Sequence, residues 1–368
     1  MADSRKRIGL IGLSAKGSWA SHSHFGYLKQ TSRYEIKALQ NSSKASAAAA
    51  AKEYSLEQAA TYDNPSALAS DPNVDIVAVS VNVPQHYDLI KPALEAGKDV
   101  FSEWPLARNL AEAEELTQLA KKMGVRTMIG LQARQNPSIV KAKEIVASGK
   151  LGRILSTTMY GHGVIFGGVT TEDRLYLMSI ENGANLVTIP FGHAVDALCY
   201  VLGEIKDLSA TLANLYPELE LVDGAGQPVK KVKKTAHDHV SLNAVLVEGG
   251  GHVDVTYAPG ISRTGNDFHW QIVGTEGSLL LEGPRGGGHV QMSQPTVKLA
   301  TNSEELKEVE VDKAPDPSYN VGKAWDAWAG VGLDKGYSIT TFEDAVLRHK
   351  MLDAIYRSAA SGKRENYL

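Results

Sequence analysis

The sequence predicts an α/β Rossmann domain, a doubly wound parallel sheet, followed by an α+β domain with an open, mostly antiparallel sheet. Three observations predict it. A short apolar strand runs into a glycine turn at the start of the chain (RIGLIGL, 7–13). Val- and Ile-rich runs then alternate with helical stretches as far as residue 135. Beyond residue 150 the texture changes to segments that alternate apolar and polar residues. These observations divide the chain into 1–135 and 136–368, with a helix at 342–363 that could pack back on the first domain.

Each element follows from its own pattern. After the strand at 7–13, residues 15–30 can form a helix. YEIKALQ (34–40) reads as a second strand and SKASAAAAAKEY (43–54) as an alanine-rich helix. VDIVAVSVNV (74–83) is apolar almost throughout, as in a strand buried on both faces. PQHYDLIKPALEAG (84–97) is a helix closed by glycine, and DVFSEWPL is a strand and loop. NLAEAEELTQLAKKMG (109–124) is an amphipathic helix with a Lys-Lys-Met-Gly stop, and VRTMIGLQ (125–132) is the next strand. Strands alternating with helices imply right-handed crossovers and parallel pairing. Past a helical stretch at 137–152, strand-period segments fall at 153–162, 205–215, 238–248, 251–257, 268–274 and 277–282. The stretch 217–236 is polar and turn-rich. It reads as a surface excursion, with Lys230, Lys231, Lys233 and Lys234 in a solvated loop.

Composition excludes several classes. The chain has 368 residues, enough for two domains, with 43% hydrophobic and 22% charged residues, ordinary values for a globular protein. A net charge of -4 gives no reason to expect nucleic acid or an anionic membrane as partner. The start, MADSRKRIGLIGL, is basic, but its apolar run is too short for a signal-peptide core, and no stretch approaches the roughly 20 apolar residues of a membrane span. A cytoplasmic protein is expected. The single cysteine, Cys199, lies in an apolar run, DALCYVL, and reads as a buried, inert thiol in a reducing compartment. No metal is expected.

The glycine turn carries chemistry. A Rossmann phosphate loop needs glycine for a tight turn, for close approach to pyrophosphate and for helix packing. Here the loop is Gly12-Leu13-Ser14-Ala15-Lys16-Gly17, so the middle glycine is replaced by Ser14, whose hydroxyl could meet a phosphate. Strand before and helix after supply the context the motif requires. The expected ligand is therefore a nicotinamide dinucleotide. The second strand ends in Leu39-Gln40-Asn41-Ser42-Ser43-Lys44, without the carboxylate usual for NAD(H). Ser42, Ser43 and Lys44 could hold a 2′-phosphate, which favours NADP(H); either serine could equally cap the following helix. Later strand ends add the candidate cofactor contacts Val81, Asn82, His86, Glu103, Trp104 and Gln132.

These blocks together resemble the glucose–fructose oxidoreductase/inositol dehydrogenase/MocA (Gfo/Idh/MocA) family. The resemblance runs through RIGLIGL, VDIVAVSVNVPQHYDLIKPALEAGKDVFSEWPL, GLQARQNPSIVKAKEIVASGKLGRI, FGHAVDAL, IVGTEGSLLLEG and AIYRSAASGK. It implies hydride transfer between nicotinamide and a sugar, polyol or related carbonyl, and oligomer contacts, as a dimer or tetramer, through the second domain's sheet. Family members carry Glu-Lys-Pro after a Rossmann strand and an Asp-x-x-x-His segment in the second domain. This chain reads Glu103-Trp104-Pro105 and Ile189-Pro190-Phe191-Gly192-His193. Tryptophan only donates a hydrogen bond and cannot be a base. His193 could still be the acid/base, or a histidine inherited with the fold; Trp104 could stack on the nicotinamide or simply pack. Trp104, Tyr160, His162, Tyr176, Asp196 and Arg134 are the candidate substrate contacts. The substitutions, with KGSWA at 16–20 and NLVTIPFGH at 185–193, resemble the fungal Gal80-like branch. That resemblance implies an alternative: a nucleotide-binding regulator, nuclear rather than cytoplasmic, whose partner is an activator protein.

Overall fold

The structure is a computed structural model that describes residues 5–368; the first four residues of the basic N-terminal stretch lie outside the described residues. The chain forms two units. The first comprises residues up to Leu131 together with Pro315–Val346, and the second comprises Gln132–Ala314 with Leu347–Leu368. Residues 315–346, which the sequence leaves with the second domain, thus belong to the first unit.

The first unit is a six-stranded parallel sheet: β1 (Lys6–Ile11), β2 (Tyr34–Gln40), β3 (Ala60–Tyr62), β4 (Ile76–Val79), β5 (Asp99–Glu103) and β6 (Thr127–Gly130). Its order, β3-β2-β1-β4-β5-β6, reverses direction between β1 and β4. Ligands of doubly wound sheets bind beyond the carboxyl ends of the strands at that reversal. The run expected as one strand at 74–83 pairs only over Ile76–Val79, because Val83–Gln85 turns as a 3-10 segment at Pro84. Residues 15–30 form two short helices, α1 (Trp19–His22) and α2 (His24–Leu28), after a loop.

The remaining helices follow their end signals. In α3 (Lys44–Glu53) the buried Ala47, Ala50 and Ala51 let the helix lie close on the sheet. Next come α4 (Pro65–Ala69) and α5 (His86–Glu95). In α6 (Leu110–Met123), Asn109 caps the start by accepting from Glu112 N (3.0 Å), and Gly124 ends it with φ +66°. The core gathers Ile8, Leu10, Tyr34, Ile36, Phe101 and Met128 with Val321, Trp325 and Trp328 of a helix at Ser318–Trp328.

The second unit is built on a mostly antiparallel mixed sheet of eight strands. They are β7 (Ile154–His162), β9 (Ile205–Ala213), β12 (His239–Leu246), β13 (His252–Ala258), β14 (Asn266–Gly274), β15 (Gly277–Pro284), β16 (Thr296–Thr301) and β17 (Glu304–Val309). Only β7 and β13 pair in parallel. A second sheet joins β8 (Val169–Thr170), β10 (Glu218–Val222) and β11 (Pro228–Lys233). The stretch 217–236 is therefore a paired hairpin rather than a loop, and on it Lys230, Lys231 and Lys233 are exposed as expected while Lys234 is not. Lys231 pairs with Glu218 (2.9 Å). Lys234 is buried, donating to Asp238 (2.8 Å) and to Asn214 Oδ1 (2.7 Å); Asp238, four residues on, is itself buried and brings its carboxylate to meet it.

Helix α7 (Pro137–Ala147) is capped by Asn136, which accepts from Ser138 N (3.0 Å). Helix α8 (Pro190–Leu202) is apolar almost all round and buried except at Tyr200, as expected of a helix enclosed by its own unit. Phe191 of α8 meets the Tyr257 ring edge-on at 6.0 Å. The helix Ser318–Trp328 is α9, and α10 (Phe342–Ser361) follows it. The tail closes on β9 through paired backbone bonds between Leu208 and Glu365 (3.0 and 2.8 Å), and the buried Tyr367 donates to Glu204 (2.6 Å). Among the described residues no helix is long and apolar enough to cross a membrane.

Candidate dinucleotide cleft and buried histidine

The phosphate loop is held in place from several directions. Gly12 has φ +99°, and a Cβ there would lie 2.1 Å from the carbonyl oxygen of Ser80. Only glycine permits that approach. Gly17 has φ +89° but open space around it, so its glycine serves backbone conformation alone. Ser18 donates to the Gly12 carbonyl (2.9 Å), and Ser14 Oγ accepts from Lys16 N (3.2 Å). Asn41 donates to Leu13 O (2.8 Å) and Tyr54 to Ser14 O (2.9 Å).

Beside this loop lies a cleft of about 640 Å³, well inside the range of small-molecule sites. Of the expected cofactor residues, Gly12, Ser14, Ala15, Lys16, Ser42 and Val81 line it. Gln40, Asn41, Ser46, Asp63 and Gln85 line it too, although the sequence reading passed over them. Polar residues at a strand end read as ordinary loop until the strand order is known. Two buried polar atoms at strand ends have no partner among the described residues: Gln40 Oε1, in the cleft lining, and Ser80 Oγ, outside it. A ligand or a water that pairs with such an orphan completes its hydrogen bonding. The close glycine, the loop and the Gln40 orphan together fit a dinucleotide.

The other expected cofactor residues do not line this cleft. Ser43 caps α3 by accepting from Ser46 N (3.1 Å), while Lys44 and Asn82 are exposed. His86 is a strut, its ring nitrogens meeting the carbonyls of Pro105 (2.8 Å) and Val81 (3.0 Å). Burial pushes its pKa down, and a neutral ring can donate to only one of the two carbonyls. Glu103 accepts from His24 (2.5 Å), whose other nitrogen accepts from Trp325 Nε1 (3.0 Å). Because an indole only donates, Nδ1 of His24 is the acceptor and Nε2 carries the hydrogen that goes to Glu103. Trp104, the residue in the lysine position, is buried at the end of β5 before a cis proline.

The second unit holds the remaining candidates. Gln132 opens a 3-10 turn, buried, with Oε1 unpartnered. Arg134 and Asp196 bind each other through two hydrogen bonds (2.8 and 2.7 Å), and Asp196 also has Arg348 at 3.7 Å. Tyr160 meets His162 Nε2 at 2.5 Å. Gly161, between them on β7, packs against Tyr257, which faces α8; strand alternation places Tyr160 on the opposite face. Tyr176 lies half-buried in the 3-10 turn Glu172–Leu177, apart from these pairs.

His193 sits in the first turn of α8, 3% exposed, with Nδ1 lacking a partner. Burial first, and the neighbouring His289 second, push its pKa down to about 3. It is therefore a neutral imidazole with an unused nitrogen. His289, which sequence gave no reason to single out, is fixed by a 3.0 Å hydrogen bond to Gly163 O. Among the described residues no group of three or more His, Cys, Asp or Glu could hold a metal ion.

The chain is similar to known proteins over most of its length. Residues 6–131 match the model of an oxidoreductase family with an NAD-binding Rossmann fold, and residues 137–283 match that of the Gal80p C-terminal domain. The chain is 36% identical to dehydrogenase aclE of Aspergillus oryzae, over 99% of this chain and 98% of that protein. It is 31% identical to the galactose/lactose metabolism regulatory protein GAL80 of Saccharomyces cerevisiae, over 86% of this chain and 76% of that one. The crystal structure of a super-repressor mutant of the Saccharomyces cerevisiae Gal80p superposes with TM-score 0.91 at 28% identity, covering 98% of this chain and 97% of that chain. A levoglucosan dehydrogenase in complex with NADH and levoglucosan shares the fold, with TM-score 0.80 at 20% identity over 99% of each chain.

Proposed function

Because the chain belongs to the Gfo/Idh/MocA oxidoreductase family, in its Gal80-like branch, we propose that it is an NAD(P)-dependent oxidoreductase. Its substrate would be a sugar-like or other small carbonyl or alcohol. The observation that carries the reading is the cleft beside Gly12, with its close backbone approach and the orphaned side-chain oxygen of Gln40. The bound nicotinamide would supply or accept the hydride. Gly12, Ser14, Ala15 and Lys16 would hold the pyrophosphate, and the choice between NAD(H) and NADP(H) lies in the stretch from Gln40 to Lys44.

His193 is the residue proposed to handle the proton. Its free Nδ1 would accept the hydrogen bond of a substrate hydroxyl and receive the proton as the hydride leaves, which requires bound substrate and cofactor to raise the imidazole above the value of about 3 that burial gives it. Arg134 and Asp196, one turn further along α8, would hold that helix in position, and Tyr176 would contact the substrate. Turnover of a panel of sugars, polyols and ketones, followed by absorbance of the reduced cofactor, tests the reading. Activity that disappears in His193→Ala supports it.

A second reading is favoured by Trp104 and Ile189, which replace the family's lysine and aspartate, and by the Gal80p-type C-terminal domain. In it the chain binds a nucleotide and an activator protein without turnover, in the nucleus rather than the cytoplasm. Tight nucleotide binding with no turnover across the panel supports this alternative. In either case the outer face of the eight-stranded sheet, the face of Tyr160, is the proposed homo-oligomer contact. Light scattering of the purified chain, compared with Tyr160→Glu, tests it.

A further inference from the structure

Gln40 ends β2 with a side-chain carbonyl that no described residue satisfies. The residue is 4% exposed, its Oε1 has no partner, and it lines the cleft. Its own backbone carbonyl accepts from Gly12 N (3.1 Å), which fixes it against the phosphate loop. An orphaned acceptor in such a place calls for a ligand that donates. A ribose hydroxyl donates; a phosphate dianion does not.

Charge points the same way. Among the described residues that line the cleft there is one cation, Lys16, and one carboxylate, Asp63. Lys16 belongs to the phosphate loop, where a dinucleotide already places its pyrophosphate. A 2′-phosphate would add close to two further negative charges and would find Asp63 rather than a second cation. Of the loop residues that could have served, Ser42 lines the cleft but brings no positive charge, and the others are otherwise placed. Ser43 accepts the capping bond from Ser46 N (3.1 Å), Ser46 Oγ donates to Ser43 O (3.3 Å), and Lys44 is not among the residues lining the cleft.

We propose that the side-chain carbonyl of Gln40 accepts a hydrogen bond from the adenosine ribose 2′-hydroxyl, so that the cleft takes NAD(H) in preference to NADP(H). This rests on the reading of the cleft as a nicotinamide dinucleotide site, and it reverses the preference suggested by Ser42, Ser43 and Lys44 in sequence.

The test is titration of the purified full chain with NADH and with NADPH, by nucleotide fluorescence and by calorimetry. The wild type should bind NADH about tenfold or more tightly than NADPH, the scale of one lost hydrogen bond that leaves a buried group unpaired. Gln40→Met keeps the volume and removes the acceptor. It should weaken NADH about tenfold, leave NADPH nearly unchanged, and leave the melting temperature of the nucleotide-free protein undiminished. A merely structural glutamine would lower that melting temperature instead. Lys44→Ala should bind NADPH as the wild type does. Equal or tighter binding of NADPH by the wild type overturns the proposal, as does Gln40→Met weakening both nucleotides alike. Either result leaves the cofactor reading standing. Failure of the wild type to bind either nucleotide overturns both.

Discussion

Arg134 and Asp196 meet fork to fork, Nε to Oδ2 at 2.8 Å and Nη2 to Oδ1 at 2.7 Å, with the aspartate wholly buried. The pair joins the 3-10 turn Gln132–Gln135 to the middle of α8. Removing one partner would strand the other charge. Asp196→Ala is expected to cost about 3–5 kcal/mol in chemical denaturation. Arg134→Lys, which loses the bidentate geometry but keeps the charge, should cost less.

The two loop glycines should respond differently to alanine. At Gly12 the new Cβ meets the Ser80 carbonyl at 2.1 Å, so Gly12→Ala should destabilise by about 3 kcal/mol or more and abolish nucleotide binding. At Gly17 nothing lies nearer than His22 Nε2 at 3.8 Å, and only the backbone conformation suffers. Gly17→Ala should cost about 1–2 kcal/mol. Parallel denaturation and nucleotide titration of the two variants check this contrast.

Acid should destabilise the fold through buried histidines. Burial pushes His193 and His349 down to about 3 from the ordinary 6.5. Unfolded, each ring binds a proton below about pH 6.5; folded, neither does until the pH nears 3. Their contribution is complete above the unfolded value and is lost as pH falls from 6.5 toward 3, by about 1.4 kcal/mol per pH unit for each ring. Denaturation at a series of pH values should show that slope, and His193→Gln should reduce it by one ring's share. An unchanged slope in the variant would contradict a neutral, buried His193.

Trp325 is expected to matter as a donor as well as by its bulk. Trp325→Phe retains most of the packing against Phe101 and Trp328 but removes the hydrogen bond to His24. It should cost about 1–3 kcal/mol, the range for a buried acceptor left unsatisfied. Trp325→Ala should cost about 3–5 kcal/mol. Equal stability of the phenylalanine variant and the wild type would show that His24 finds another donor.

Much of the fold was legible because burial writes itself into residue order. Ile76–Val79 is apolar on both faces, as a central parallel strand must be, and β12 to β15 alternate because one face is covered. Asn109 and Gly124 announced both ends of α6. Helix α9 was missed although Val321, Ala324, Trp325 and Trp328 keep helical spacing, since the prolines and Asp316 before it read as loop. β17 was missed because nearly every side chain on it is exposed. Lys234 looked like its three lysine neighbours; what distinguishes it is a carboxylate four residues on, Asp238, that folds back to meet it. At the cleft the glycine loop was legible from local constraint. Gln40 was not, because a polar residue becomes an orphan only once the sheet and helix have closed around it.

The backbone pairing of Leu208 with Glu365 has a consequence for the chain as it is made. β9 is the last strand on its side of the eight-stranded sheet, and the residues that cover its open edge there are encoded more than 150 positions later. From the time β9, β12 and β13 have left the ribosome until Glu365 and Tyr367 follow, that edge is free to pair with another nascent chain. Translation rate over the intervening stretch, and chaperone occupancy of it, should therefore govern the yield of soluble protein more than the stability of the finished fold does.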